Sequence, residues 1–580
     1  MADGADSDAR ARPPRIATIP AARPTFAEDP QDKRALTLSV WSQRCLRSRR
    51  LGIAIAVTAV ATYLRFANLQ ANPGWDGDEG YNWSIAANLL AGHLQMFGLR
   101  YAFVQHPPLF YVLGAAVMRL WTHDLIALRA LSAACGVLTV LMVYLVGARL
   151  DRARLGIAAA IFYAIWPQAV LQVRWAYTYN LLALLLSAAL WAALPRKYPR
   201  AHTVSPTGAM AGAAQVTAHL RATLAASGVA GVLAGLALVT DQEAVALLPA
   251  LAVLLWARGP RSIVVGALAT AVLPAAYVTW MLVVRTQAFL FDVRNSASRL
   301  TTSPVELLSR FQHLVSFEPF IAAGLVGLCL LPRGAAKRGV WLGTLCLLAT
   351  VLAVRDPAPY FRAAEPLLPL AAVGTGALVC ALLRGFSWLL APLRQSSGPD
   401  DPADAATLAP RRGLVMRTAA SLMLTVPFCL TMLATDLTQV QGRFVTGLDK
   451  LLPQSAAEAQ SMADWVNLRV HPDDLVLAMP DIAWLFHCHS ADLLQAVAIT
   501  GVGTSFYPSG LGSARFAYDT RLQAARFLVV DDFTRLWISQ NPPERSLVTQ
   551  AARSWAVVYR RGEYVVYANP LDKLIRAGQE

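Results

Sequence analysis

Long apolar runs alternate with short basic clusters over most of the chain. Runs of membrane-spanning length lie near 51–69, 129–148, 156–173, 180–194, 224–240, 243–257, 262–284, 317–331, 339–354, 366–383 and 414–435. A helix rises ~1.5 Å per residue, so about 20 apolar residues cross a ~30 Å hydrocarbon core and these runs predict transmembrane helices. The segment 108–121 breaks the pattern: it has about 14 residues, opens on Pro107-Pro108 and carries Arg119. It is too short for a span and predicts a re-entrant or interfacial helix.

Leaving 108–121 out of the count gives about eleven spans and puts alternate loops in the cytoplasm. Those loops carry Arg149, Arg152 and Arg154; Arg196, Lys197 and Arg200; Arg258 and Arg261; Arg333, Lys337 and Arg338; and Arg384, Arg394, Arg411 and Arg412. Lys and Arg collect on the cytoplasmic side of a membrane, so the arrangement obeys the rule at every turn. Counting 108–121 as a span would move Arg149, Arg152 and Arg154 outside and invert every later loop. The N-terminus is then cytoplasmic and the C-terminus extracytoplasmic, with the protein in the cytoplasmic membrane. Residues 1–50 lack hydrophobic periodicity, end in a basic stretch and predict a disordered cytoplasmic tail.

The transmembrane part, 51–436, has a first outside loop over about 70–128, and from 437 to 580 the pattern turns soluble and mixed. A helix around 456–466 precedes an apolar strand at 475–479. A second strand at 527–530 ends in Asp531-Asp532, and 555–559 with 564–567 reads as a hairpin turning through Arg561-Gly562-Glu563. The fold class is therefore a polytopic α-helical membrane protein with a small extracytoplasmic α/β domain at its C-terminus.

Composition agrees: 56% of residues are hydrophobic, 15% are charged and the mean hydropathy is +0.44. A soluble protein carries about 25% charged residues, so a single water-soluble globule is excluded. The net charge of +15 follows from the basic cytoplasmic loops and implies no nucleic-acid partner. Seven cysteines, Cys45, Cys135, Cys329, Cys346, Cys380, Cys429 and Cys488, lie far apart and give neither a disulfide framework nor a CxxC metal site.

With this topology the polar groups that are not basic anchors converge on one membrane face. The first outside loop holds Trp75-Asp76-Gly77-Asp78-Glu79-Gly80-Tyr81 and Gln105-His106-Pro107-Pro108-Leu109. Asp78 and Glu79 open a helix whose Tyr81, Ile85 and Leu89 recur every four residues. They either cap it, worth about 0.5–2 kcal/mol, or act on a substrate, since a partly desolvated carboxylate at a bilayer rim suits a general base for an acceptor hydroxyl. His106, stiffened by two prolines, is either an interfacial residue or a ligand contact. Arg174 and Arg362 sit at outside ends of spans, as snorkelling anchors or as guanidinium forks for a phosphate. Asp241 and Glu243 cap a following helix or add carboxylates to the same face, and Asp76, Tyr81, Tyr177, Asn180 and Tyr360 are further substrate-binding candidates. His487 and His489 flank Cys488, but with no distant ligand they read as a domain surface.

These residues resemble the GT-C superfamily of polytopic glycosyltransferases, in particular the protein O-mannosyltransferase and lipid A aminoarabinose transferase group. The resemblance rests on Asp78-Glu79 after the first span, His106-Pro107-Pro108-Leu109 before an interfacial helix, Arg129 opening the next span, and the stretches 167–174 and 362–369. It covers about 50–385. It implies that Asp78 is the catalytic base, that Glu79 positions substrate, and that His106, with Arg174 and Arg362, meets the phosphate of a lipid-linked donor. The implied reaction is inverting attack by an acceptor hydroxyl or amine on the anomeric carbon of a polyprenyl-phosphate sugar. The acceptor is a protein, a lipid or an envelope glycan. No cofactor is required, a divalent cation can be accommodated, and no Gly-rich nucleotide loop is present. The chain departs from the family where Tyr177, Tyr179 and Asn180 replace a frequent Asp, and where Thr240-Asp241-Gln242-Glu243 replaces Thr-Lys-Gly. Both departures bear on the sugar and the acceptor.

A transporter or flippase of lipid-linked sugars is the alternative, and an envelope scaffold is a third reading. Transporters carry ionisable groups near mid-membrane, whereas here the polar groups gather at one surface.

Overall fold

The structure, a computed structural model, describes residues 52–70, 72–103, 106–195, 209–301, 303–354, 364–389, 425–442 and 456–570. The expected tail 1–50, Tyr360, Arg362 and residues 414–424 of the last expected span lie outside the described residues.

Helix α1 (Gly52–Phe66) is followed by α2 (Gly77–Leu90), α3 (Leu109–Leu120), α4 (Leu125–Leu150), α5 (Ala153–Ala164), α6 (Pro167–Gln172) and α7 (Thr178–Ala193). Then come α8 (Ala209–Leu238), α9 (Gln242–Trp256, its first turns 3-10), α10 (Pro260–Val284), α11 (Thr286–Ser298), α12 (Pro304–Phe317), α13 (Pro319–Cys329), α14 (Ala335–Ala353), α15 (Leu368–Leu389) and α16 over 425–440. Helices thus occur at all eleven apolar runs. Five are long and apolar enough to cross a membrane unaided: α4, the Thr217–Leu238 part of α8, α10, α14 and the Glu365–Gly385 stretch. Helices α12 and α13 meet at 100° and make a sixth only as a bent pair. The run at 156–173 is two helices rather than one, because Pro167 has no N–H to continue the ladder of α5.

Close crossings hold the bundle. A Cβ at Gly327 of α13 would stand 1.8 Å from the carbonyl oxygen of Gly374 in α15, so only glycine lets these backbones approach so far. At one end of the bundle Arg258 donates to the carbonyls of Ala192 at 2.6 Å and Leu194 at 2.8 Å, and Arg149 stacks on Trp191 at 4.0 Å. The basic ends of α4, α7 and α9 therefore share one side, as the alternating loops require.

After α16 the chain forms α17 (Ala456–Asn467), β1 (Leu475–Ala478), α18 (Pro480–Ala483), β2 (His489–Asp492), α19 (Leu493–Ala498), β3 (Ala525–Val530), α20 (Asp532–Gln540), α21 (Pro542–Ser554), β4 (Ala556–Arg561) and β5 (Tyr564–Ala568). The sheet order is β2-β1-β3-β5-β4, with β1 parallel to β2 and β3, and β5 antiparallel to β3 and β4. Strand β2 has no counterpart in the sequence pattern. Residues Ala56–Glu580 form one compact unit, so the sheet packs as part of the same body as the helices. The contact is intimate at α2, where a Cβ on Gly80 would lie 1.7 Å from the carbonyl oxygen of Pro480 in α18.

Candidate active site

The site is built around the first turn of α2. Asp76 is its N-cap: the side chain accepts from Asp78 N at 2.9 Å, while Glu79 reaches back to accept from Asp76 N at 3.2 Å. This capping box satisfies donors that a helix start leaves open. Asp76, a candidate for substrate contact, is thereby committed to the fold.

Glu79 is fully buried and held from three directions. Arg129 of α4 donates Nε to Oε1 at 2.8 Å and Nη2 to Oε2 at 2.5 Å, and the amide of Ala176 donates to Oε1 at 2.8 Å. The remaining guanidinium hydrogens go to the carbonyls of Leu69, Pro73 and Gly74. The Glu79 carboxylate ties the loop after α1, the start of α2, α4 and the loop before α7 into one block.

Arg174 also differs from expectation. Its guanidinium is buried and donates to the carbonyls of Leu64 and Asn72 at 2.7 Å, Ala67 at 2.8 Å and Asn68 at 3.4 Å. It closes the C-terminal end of α1, where carbonyls lack partners, and offers no fork to a phosphate. Tyr81 donates to Asp492 Oδ2 at 2.7 Å, while Tyr507 donates to the same oxygen at 2.8 Å. It is a bolt between α2 and the sheet. Asn180 donates to the carbonyls of Gln172 and Trp175, and Tyr177 stacks on Trp175 at 5.6 Å. Both shape the turn before α7. Asp241 caps the first turn of α9 through Glu243 N at 3.0 Å and accepts from Thr178 Oγ1 at 3.1 Å, and Glu243 is buried in that turn.

What remains is a polar cluster in which Asp78, half-buried, lies within electrostatic reach of His106 and Tyr111, and Asp241 within reach of Tyr111. The backbone closes behind them, with Leu109 N donating to the carbonyl of Val239 at 2.9 Å. The tautomer of His106 follows from the hydrogen bonds. Asn82 Nδ2 donates to Ala176 O at 2.8 Å, so its Oδ1 is the acceptor for the Tyr111 hydroxyl at 3.0 Å. The Tyr111 proton being spent, the 2.9 Å contact to His106 is a donation from Nδ1–H. The Nε2 lone pair is buried without a hydrogen-bond partner among the described residues. Burial pushes the imidazole down to about 4, against the pull of Asp78 and helped by Arg299, so the ring is neutral near pH 7. Burial moves the Asp241 carboxyl the other way, up to about 6.

Sequence reasoning passed over Asn82, Tyr111 and Arg299. Asn82 follows Glu79 by three residues and so lies on the same face of α2, which was the available signal; Arg299, which reaches the carbonyl of Phe506 and lies 5.6 Å from its ring, gave none. Further buried charges, Arg65, Glu365 and Asp436, lie near helix ends, with Tyr163 donating to Glu365 Oε1 at 2.9 Å. His489 stacks on Tyr518 at 4.3 Å, and among the described residues no three His, Cys, Asp or Glu side chains come together as a metal ion would need.

The fold, a helical body with this small mixed sheet, has counterparts among solved structures. It is shared with ArnT from Cupriavidus metallidurans bound to undecaprenyl phosphate, at 15% identity and TM-score 0.58 over 89% of this chain and 98% of that one. The archaeal oligosaccharyltransferase AglB from Archaeoglobus fulgidus, in complex with an inhibitory peptide and a dolichol-phosphate, matches at 13% identity and TM-score 0.50 over 90% of this chain and 74% of that one. No protein-family model matches the chain, and no curated protein sequence matches it.

Proposed function

We propose that the protein is an inverting glycosyltransferase that moves a sugar from a polyprenyl-phosphate donor to an acceptor at the outer face of the cytoplasmic membrane. The observation that carries this reading is the grouping of Asp78, neutral His106 and Asp241 around Tyr111 at the helix ends of a GT-C-like fold. That fold is represented by a structure with undecaprenyl phosphate and by another with dolichol-phosphate.

Asp78 is the base. It takes the proton of the acceptor hydroxyl as the oxygen attacks the anomeric carbon, and the lipid phosphate departs with the bonding electrons. The base need not be strong, because the leaving group is an already stabilised anion. His106 Nε2 and Arg299 flank the place of that phosphate. Its arrival favours protonation of the ring and gives Nε2 the partner it lacks. Arg362, from the family resemblance, would join them. Glu79 and Arg129 hold the base in place, and the reading rests on no cofactor. The N-terminus lies in the cytoplasm, the sheet of 437–580 outside, and the eleven helical runs cross or re-enter the membrane.

The experiment compares lipid-linked sugars by mass spectrometry in membranes where wild type or Asp78→Asn is the only copy. A polyprenyl-phosphate sugar that accumulates with Asp78→Asn and is consumed by wild type is the expected result, and its mass names the sugar class. Matching lipid profiles, with the variant folded and present, would refute the transferase.

A further inference from the structure

A cleft lies beside the first outside loop, at the end of α10, and its lining shares no residue with the Asp78 site. It is a shallow, open groove of about 840 Å³, and its walls include Arg100, Tyr101, Val283, Val284, Arg285 and Gln287. Two guanidiniums lie on the Tyr101 ring, Arg285 at 4.1 Å and Arg515 at 4.2 Å from its centroid. The ring attracts each of them, but they repel each other. Arg515 is neutralised by Asp292 at 2.9 Å. Arg285 and Arg100 make no ion pair among the described residues; Arg100 spends only Nε, on the carbonyl of Phe516 at 2.8 Å. The cleft thus holds two uncompensated cations with guanidinium hydrogens to give.

Its depth is set by the helix that forms one wall. Helix α10 is a 25-residue apolar span that packs on α8 along one side, with few of its residues fully buried, so its other side faces lipid. Val283 and Val284 are 78% and 56% exposed in its last turn, and Arg285 follows at once. Apolar wall below and guanidinium above is the order of a lipid: chain in the hydrocarbon, headgroup at its edge.

We propose that this cleft binds the phosphate headgroup of a membrane lipid, separately from the donor, with Arg285 and Arg100 on the phosphate oxygens and Val283–Val284 along the first carbons of a chain. The assignment stands apart from the transferase reading, because neither arginine contacts the Asp78 cluster. The two possible sources of the anion, a lipid headgroup and free phosphate, are separable by experiment.

The full chain in phosphatidylcholine nanodiscs is titrated with phosphatidylglycerol, and bound lipid is counted by native mass spectrometry with and without inorganic phosphate. Wild type should retain phosphatidylglycerol in preference to phosphatidylcholine. Arg285→Ala and Arg100→Ala should each weaken that retention about tenfold, the loss of one charge-assisted hydrogen-bonding group, with an unchanged melting temperature. If Arg285→Ala does not fold, Arg285→Gln, which keeps the length of the side chain, carries the same expectation. Undiminished retention in the double variant, or equal retention of the zwitterionic lipid, would overturn the proposal. So would inorganic phosphate binding at the arginines while phosphatidylglycerol does not, which assigns the site to a soluble anion.

Discussion

The sharpest test separates the two adjacent carboxylates at the start of α2. Glu79 has no exposed surface and Arg129 is 1% exposed, with Nη2 to Oε2 at 2.5 Å and Nε to Oε1 at 2.8 Å. Glu79→Ala leaves a guanidinium charge buried, and removing one member of such a pair costs about 3–5 kcal/mol. It also leaves the amides of Ala176 and Asp76 without an acceptor. Glu79→Gln fills the same space and keeps an acceptor oxygen, so its cost falls to about 1–3 kcal/mol. Asp78→Asn keeps the shape of the side chain and removes a favourable charge at a helix N-terminus, worth up to about 1 kcal/mol, yet should abolish transfer. Unfolding of the detergent-solubilised protein on titration with sodium dodecyl sulfate, measured beside turnover, puts the three variants on one scale. A Glu79→Gln protein as stable as wild type but as inactive as Asp78→Asn would refute the division of labour, and Glu79 would then touch the reacting atoms.

Gly80→Ala should misfold or separate α2 from α18, because its methyl would stand 1.7 Å from the carbonyl oxygen of Pro480; faster limited proteolysis than wild type reports the separation. The Asp492 carboxyl is pushed up to about 6 by burial, which outweighs its hydrogen bonds from Tyr81, Tyr507 and Gln495 N. The folded state therefore holds a proton that the unfolded state, near 3.8, has lost, and stability falls as pH rises from about 4 through 6. Asp492→Asn, uncharged throughout, should flatten that fall in melting temperature; parallel curves would contradict it. With His106 lowered to about 4 in the free protein, the acid side of the kcat/KM profile should show no step near the ordinary 6.5 of free imidazole, and His106→Gln should leave the shape of that profile unchanged while raising KM for the donor.

Local pattern carried much of the fold. The apolar runs, the short helix after Pro107-Pro108, strands β1 and β3, and the β4–β5 hairpin all announce themselves through neighbouring residues. Strand β2 did not: His489-Ser490-Ala491-Asp492 has no apolar alternation, because it is a four-residue edge strand that gains its place from pairing with β1. At the site, the sequence singled out Asp78 and His106, and the structure brings them within electrostatic reach of each other. The roles of Glu79, Tyr81 and Arg174 were not legible, since their partners Arg129, Asp492 and the carbonyls at the end of α1 stand about 50, 411 and 102–110 positions away. A side chain's type states what it can bind, and only the folded chain states what has already bound it.

The seat of Gly80 on Pro480 reaches beyond stability. Asp78, the proposed base, stands two residues from a backbone-to-backbone contact with the extramembrane part, so that part belongs to the mould in which the first turn of α2 is cast. Exchanging 456–570 for the equivalent region of a relative would therefore transplant poorly unless the 75–84 turn travelled with it. Acceptor range in such a chain would then evolve through the loops between the strands while the strands themselves stay in register with α2.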